Sequence, residues 1–104
     1  MVVFVLAFLH EHGNEINAFH EEKDALESAH VIINETLDEL EDKIDDSEDA
    51  TEAFDLLKKH LENKQIKDAI KLYNEIFVSF VNSSESHEIS IKKCEVLKEQ
   101  EGNF

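Results

Sequence analysis

The chain has 104 residues, enough for one modest core and too few for a two-domain enzyme with its own cofactor fold. Ten basic against 25 acidic side chains set the net charge at −15, yet 41% of the residues are hydrophobic, too many for a disordered acidic tail. All ten basic residues are lysines, so the guanidinium best suited to phosphate or guanine is missing, and the negative field repels nucleic acid and anionic lipid alike; neither is an expected direct partner.

Residues 2 to 9, Val-Val-Phe-Val-Leu-Ala-Phe-Leu, are β-branched and aromatic and lack a helix start, which predicts a buried strand. Eight apolar residues cannot span a membrane, and with no preceding lysine and His-Glu-His following they do not read as a secretory leader. A soluble, cytoplasmic chain is expected, and the single Cys94 agrees, since one thiol builds no internal disulfide framework. His12-Gly13-Asn14 supplies a turn, and Glu15 to Phe19 returns as a more exposed second strand with Ile16 and Phe19 as its inward residues.

From Glu21 the period changes to that of a helix. Leu26, Ala29, Ile33, Leu37, Leu40 and Ile44 form one apolar stripe, and Glu21, Glu22 and Asp24 sit where the positive end of the helix dipole favours acids. Ser47 is placed to cap a second helix with the inner face Ala50, Phe54, Leu57 and Leu61, and Lys58, Lys59 and His60 in its last turn. Ile66, Ala69, Ile70, Tyr73, Ile76 and Phe77 mark a third helix beginning after Asn63. Asn82 to Ser86 is a polar break. Beyond it Ile89 and Ile91, then Cys94 and Val96 in shifted alternation, predict a strand over 87–97 with a bulge, in competition with a helix over 91–100. Residues 98–104 are expected to be a loose tail. The expectation is a single α+β domain over 1–104, ordered β-β-α-α-α-β, with the helices on one face of the sheet.

Six histidines raise the question of a metal. His10 and His12 project to one side of a strand, and His20 is a conceivable third ligand, but two histidines flanking an exposed turn is the plainer reading, and no zinc spacing is present. An EF-hand loop starting at Asp45 would place Ser47 and Asp49 in ligand slots. It fails at the sixth position, Ala50 where glycine is needed, and at the twelfth, Leu56 where a bidentate glutamate is needed. Two distant glycines cradle no phosphate. His87 and Cys94 are an odd number of residues apart, which sends them to opposite strand faces unless the bulge resets the register, so Cys94 is expected as a small core filler. No catalytic residue, metal or cofactor is assigned, and the chain is not expected to be an enzyme.

The distinctive signal is the stretch 35–55. Glu35, Asp38, Glu39, Glu41, Asp42, Asp45, Asp46, Glu48, Asp49, Glu52 and Asp55 against Lys43 alone place −10 of the −15 in 21 residues. On a helix rising about 1.5 Å per residue this is about one carboxylate per 3 Å, close to the phosphate spacing of roughly 3.4 Å along one DNA strand. Like charges at i, i+3 and i+4 repel, which costs stability, and a solvated, solubilising face is the ordinary reason for such a run. Here, however, the apolar stripe persists beneath the acids and lysine is almost excluded.

A compact, strongly acidic chain with carboxylates in rows resembles the DNA-mimic class, small acidic proteins, commonly phage-encoded, that occupy the DNA-binding groove of a host protein. The opening Val2-Val3-Phe4-Val5 with its turn at His10-Glu11-His12-Gly13 also resembles small phage proteins. The resemblance implies a host-takeover inhibitor whose eleven acids dock on a basic DNA-binding protein in the host cytoplasm. The targets it implies are a nucleoid protein such as HU, or a restriction, CRISPR or transcription protein. The alternative is an interaction or homodimerisation module acting through apolar surface, either the sheet edge or Phe77, Phe80 and Val81. A carboxylate and His10/His12 metal buffer ranks third.

Overall fold

The N-terminal apolar run forms strand β1 (Val2–His10), followed by β2 (Gly13–Phe19), in a computed structural model that describes residues 1–10, 13–81 and 87–95. Three helices follow, α1 (Glu22–Lys43), α2 (Glu48–Glu62) and α3 (Ile66–Ser79), and then β3 (Glu88–Glu95). The order is the predicted β-β-α-α-α-β. β3 is a strand, so the competing helix fails over 91–95; its remainder, and the tail over 98–104, lie outside the described residues.

The sheet is antiparallel with β1 in the centre, in the order β2-β1-β3. Alternation sends Leu6, Phe8 and Ile89 towards the helices, where they join one core cluster with Ile33, Leu40, Leu57, Tyr73 and Ile76, all close to fully buried. Each such aliphatic side chain removed from water contributes about 1.5–3 kcal/mol, offset by the conformational entropy of ordering it. α1 and α3 lie on the sheet, whereas α2, among the described elements, packs only on α1 and α3. The α2 face predicted from Ala50, Phe54, Leu57 and Leu61 is the buried one.

Three strand expectations are corrected. The first strand is buried on one side only: of its residues only Leu6 and Phe8 are buried, because the helices cover a single face. Ile16 is not inward. It pairs with Ala7 on the opposite face and is 66% exposed, while Phe19, three residues on and of opposite parity, packs against the core. No bulge interrupts β3 either. Its register with β1 runs unbroken from Val2 opposite Glu95 to Leu9 opposite Glu88, so strict alternation puts Cys94 outward, exposed and not a core filler.

Candidate functional site

The acidic stretch is divided between two helices and the corner that joins them. α1 carries Glu35, Asp38, Glu39, Glu41 and Asp42, the link carries Asp45 and Asp46, and α2 carries Glu48, Asp49, Glu52 and Asp55; ten of the eleven are exposed and Asp45 is half-buried. Beneath them Ile33, Leu40, Ala50 and Phe54 are buried, so the apolar stripe that makes these segments helical also fixes the backbone from which the acids project.

The corner is clamped. The Asp45 N–H donates to the Phe80 carbonyl at 2.9 Å beside a bridge between Ile44 and Val81, which ties the link to the end of α3. The Asp45 Oδ1 accepts the Ser47 N–H at 2.9 Å, and the Ser47 hydroxyl accepts the Ala50 N–H at 3.1 Å, the cap foreseen in the sequence. The hydrogen bonds from Ser47 hold the Asp45 carboxyl below its ordinary pKa and keep it charged. α2 then returns beside α1. A groove of about 280 Å³ between the arms is lined by Glu41, Asp45, Asp46, Asp55 and Lys58.

Little positive charge offsets these acids. Lys43 reaches Glu39 at 2.8 Å, and Lys58 lies 3.6 Å from Asp55 and 5.0 Å from the centre of the Phe54 ring. Among the described residues no lysine bridges Glu35, Asp38, Glu41, Asp42, Asp46, Glu48, Asp49 or Glu52. The carboxylates therefore form two adjacent arms with a bend at the junction of the two helices.

The other sequence candidates fall elsewhere. Glu11 and His12 lie outside the described residues, so the His10/His12 pairing is not placed; among the described residues no three His, Cys, Asp or Glu side chains are gathered to hold a metal ion. His10 instead has its Nε2 3.1 Å from a Glu15 carboxylate oxygen. Of the apolar docking candidates Phe77 is buried, and Phe80 and Val81 pack against the core.

Two further features lie outside the acidic stretch. His87 is buried, stacked on Phe77 with ring centres 4.3 Å apart and 3.2 Å through Nδ1 from the Tyr73 hydroxyl. It is in step with Ile89 and Ile91, so the alternation of the predicted strand turns it inward, but its contacts with Phe77 and Tyr73 depend on α3. The second is the outer face of the sheet, which no other described element covers and which carries Val3, Val5, Ala7, Leu9, Ile16 and Ala18. The alternation in β1 and β2 predicts which residues share that face, and helices on one side of the sheet leave it without a helical cover. No helix among the described residues is long and apolar enough to cross a membrane. No protein-family model, curated protein or solved structure matches the chain.

Proposed function

We propose that the protein is a DNA mimic, which occupies the nucleic-acid-binding surface of a basic protein and competitively blocks it. The observation that carries this reading is the exposed, weakly compensated acidic hairpin on a clamped corner. The two helices run back from the corner side by side, so the arms present two lines of charge, as the two strands of a duplex do. Nine carboxylates on two arms each about 10 Å long amount to about one per 1–2 Å of hairpin axis, comparable with the one charge per roughly 1.7 Å of duplex counting both strands. A preordered array loses little conformational entropy on docking, and displacement of counterions from both surfaces favours the complex.

The partner is a basic DNA-binding protein, with a nucleoid protein of the HU kind, a restriction enzyme, a CRISPR effector or a transcription protein as the classes to test, and the cytoplasm of a phage-infected cell as the setting. Retention of such proteins from a lysate at low salt, their loss at high salt, and competition by duplex DNA are the expected results. The decisive variant neutralises Glu35, Asp38, Asp42, Asp46 and Glu52 to Gln or Asn. None of these holds the corner, so the variant should keep its helicity and lose the partner. Equal retention by that variant overturns the reading.

The uncovered apolar face favours a second reading, an interaction module in which acidity serves solubility. Its complexes would survive high salt, because apolar burial is not screened.

A further inference from the structure

We propose that two copies of this chain associate through the face of the sheet that no other described element covers, with a two-fold axis passing at the paired residues Ala7 and Ser90. None of the four β1 residues on that face, Val3, Val5, Ala7 and Leu9, belongs to the core cluster or packs against it, and Ile16 beside them is 66% exposed. Acids make up 25 of the 104 residues, yet the strand residues on this face include a single one, Glu88, balanced by a single lysine, Lys92. A chain at −15 thus bears one neutral, largely apolar surface, and α2, with four of the eleven clustered acids, makes no contact with the sheet behind it.

The pattern on this face is self-complementary. In the register of β1 with β3, Val5 is opposite Lys92, Ala7 opposite Ser90, and Leu9 opposite Glu88. Ala7 and Ser90 therefore lie midway between a Val5–Lys92 row and a Leu9–Glu88 row. A two-fold axis in the interface plane, perpendicular to β1 and through Ala7, exchanges these rows. It sets Lys92 of each copy over Glu88 of the other, Val5 over Leu9, and Ile16 over its own symmetry mate, with the small Ala7 and Ser90 at the centre where two sheets stacked about 10 Å apart approach most closely. Two equivalent ion pairs and a continuous apolar centre follow from one operation, as an isologous interface requires.

The area suffices. Strands of about 30 Å by three strand spacings of about 4.8 Å give roughly 400 Å² in plan per copy, and protruding side chains raise the accessible area, so the pair reaches the total of about 1,000 Å² expected of a specific interface. Pairing through β3 as an edge is opposed by Asn74, whose carboxamide already occupies the main chain of Ile89. Cys94 pairs with Val3, far from the axis on both sides, so the two thiols stay apart and no disulfide supports the dimer.

Light scattering and sedimentation of the full chain at micromolar concentrations test the proposal. The wild type should be a dimer and Ile16→Lys a monomer of unchanged helical circular dichroism. Lys92→Glu places two acids together twice per dimer and should raise the dissociation constant about tenfold or more. The exchange Lys92→Glu with Glu88→Lys should return it to within about threefold of wild type, a rescue that a purely structural role of either residue does not produce. A wild type that stays monomeric at high micromolar concentration overturns the proposal. So does a dimer indifferent to Ile16→Lys, the signature of pairing along β2, or an exchange variant no tighter than the single reversal.

Discussion

Asn74 on α3 and Ile89 on β3 exchange two hydrogen bonds: the Asn74 Nδ2 donates to the Ile89 carbonyl at 2.8 Å, and the Asn74 Oδ1 accepts the Ile89 N–H at 2.8 Å. A carboxamide has the donor and acceptor of a peptide group, so α3 stands in at this point for a fourth strand. The Ile89 side chain meanwhile is buried against the helices, which fixes β3 through core packing and through its main chain at one residue. Edge strands with unpaired main chain invite further strands, and this contact occupies the β3 edge at Ile89.

Asn74→Ala should therefore lower the unfolding free energy by about 1–3 kcal/mol, the cost of leaving a partly buried main-chain pair without its partners. A urea midpoint that falls without a change in slope would show it. Asn74→Asp should be at least as costly at neutral pH, because a carboxylate oxygen then faces the Ile89 carbonyl oxygen. A difference of only a few tenths for the alanine variant would mean that water replaces the carboxamide fully.

Tyr73 is the chain's one tyrosine, and tryptophan is absent, so its phenolate absorbance is an uncluttered probe of the buried Tyr73–His87 contact. Burial pushes the phenol up to about 12. The folded-state pKa lies above the unfolded value of about 10, so the stability this phenol contributes is complete below pH 10 and is lost as the pH rises from about 10 through about 12. The phenolate signal should appear together with unfolding, and Tyr73→Phe should shed this part of the alkaline loss while costing about 1 kcal/mol at neutral pH. A phenolate that titrates near pH 10 in the folded protein would contradict it.

Helix positions were legible where burial follows a period. Ala29, Ile33 and Leu40, the α2 face from Ala50 to Leu61, and the Ser47 cap all follow from spacing or cap chemistry within one element. Errors gathered where the decision belongs to a second layer. Alternation says that Ile16 and Phe19 face opposite ways but not which side the helices cover, and Cys94 turns outward because the β1–β3 register has no bulge. The acidic content and its division between two helices were plain in the sequence, whereas the anchoring of the corner depends on how the link from Ile44 to Ser47 meets Phe80 and Val81. No single-element pattern contains that contact.

The clamped corner changes which acids can be neutralised without consequence. Asp45 has a folded-state pKa below its ordinary value, so its contribution to stability is present above about pH 4 and is lost as the pH falls through the lower folded value. Wild type and Asp45→Asn should differ in melting temperature at pH 7 and converge once the pH has fallen below the lowered folded-state value. Ser47→Ala should cost about 1 kcal/mol through loss of the cap. Neutralising Asp38, Asp42 and Glu52 instead relieves repulsion and should leave the melting temperature unchanged or raised. If Asp45→Asn matches wild type at neutral pH, the carboxylate does not hold the corner.

The end of α2 offers a stabilising change. The Gln65 N–H donates to the His60 carbonyl at 2.8 Å and the Lys64 N–H to the Leu61 carbonyl at 3.2 Å, the crossed pair of a Schellman cap, which places Lys64 in the left-handed region at φ 60°. Glycine is the usual residue there because a Cβ strains this conformation. Lys64 is exposed and, among the described residues, bridges no acid, so Lys64→Gly removes the strain without removing a contact. The greater freedom of glycine in the unfolded chain offsets part of the gain. A net increase of about 0.5–1 kcal/mol in unfolding free energy is expected, read as a higher urea midpoint at constant slope. Lys64→Ala keeps the Cβ and should show no such increase, and equal gains from both variants would assign the effect to the lost charge and not to the backbone.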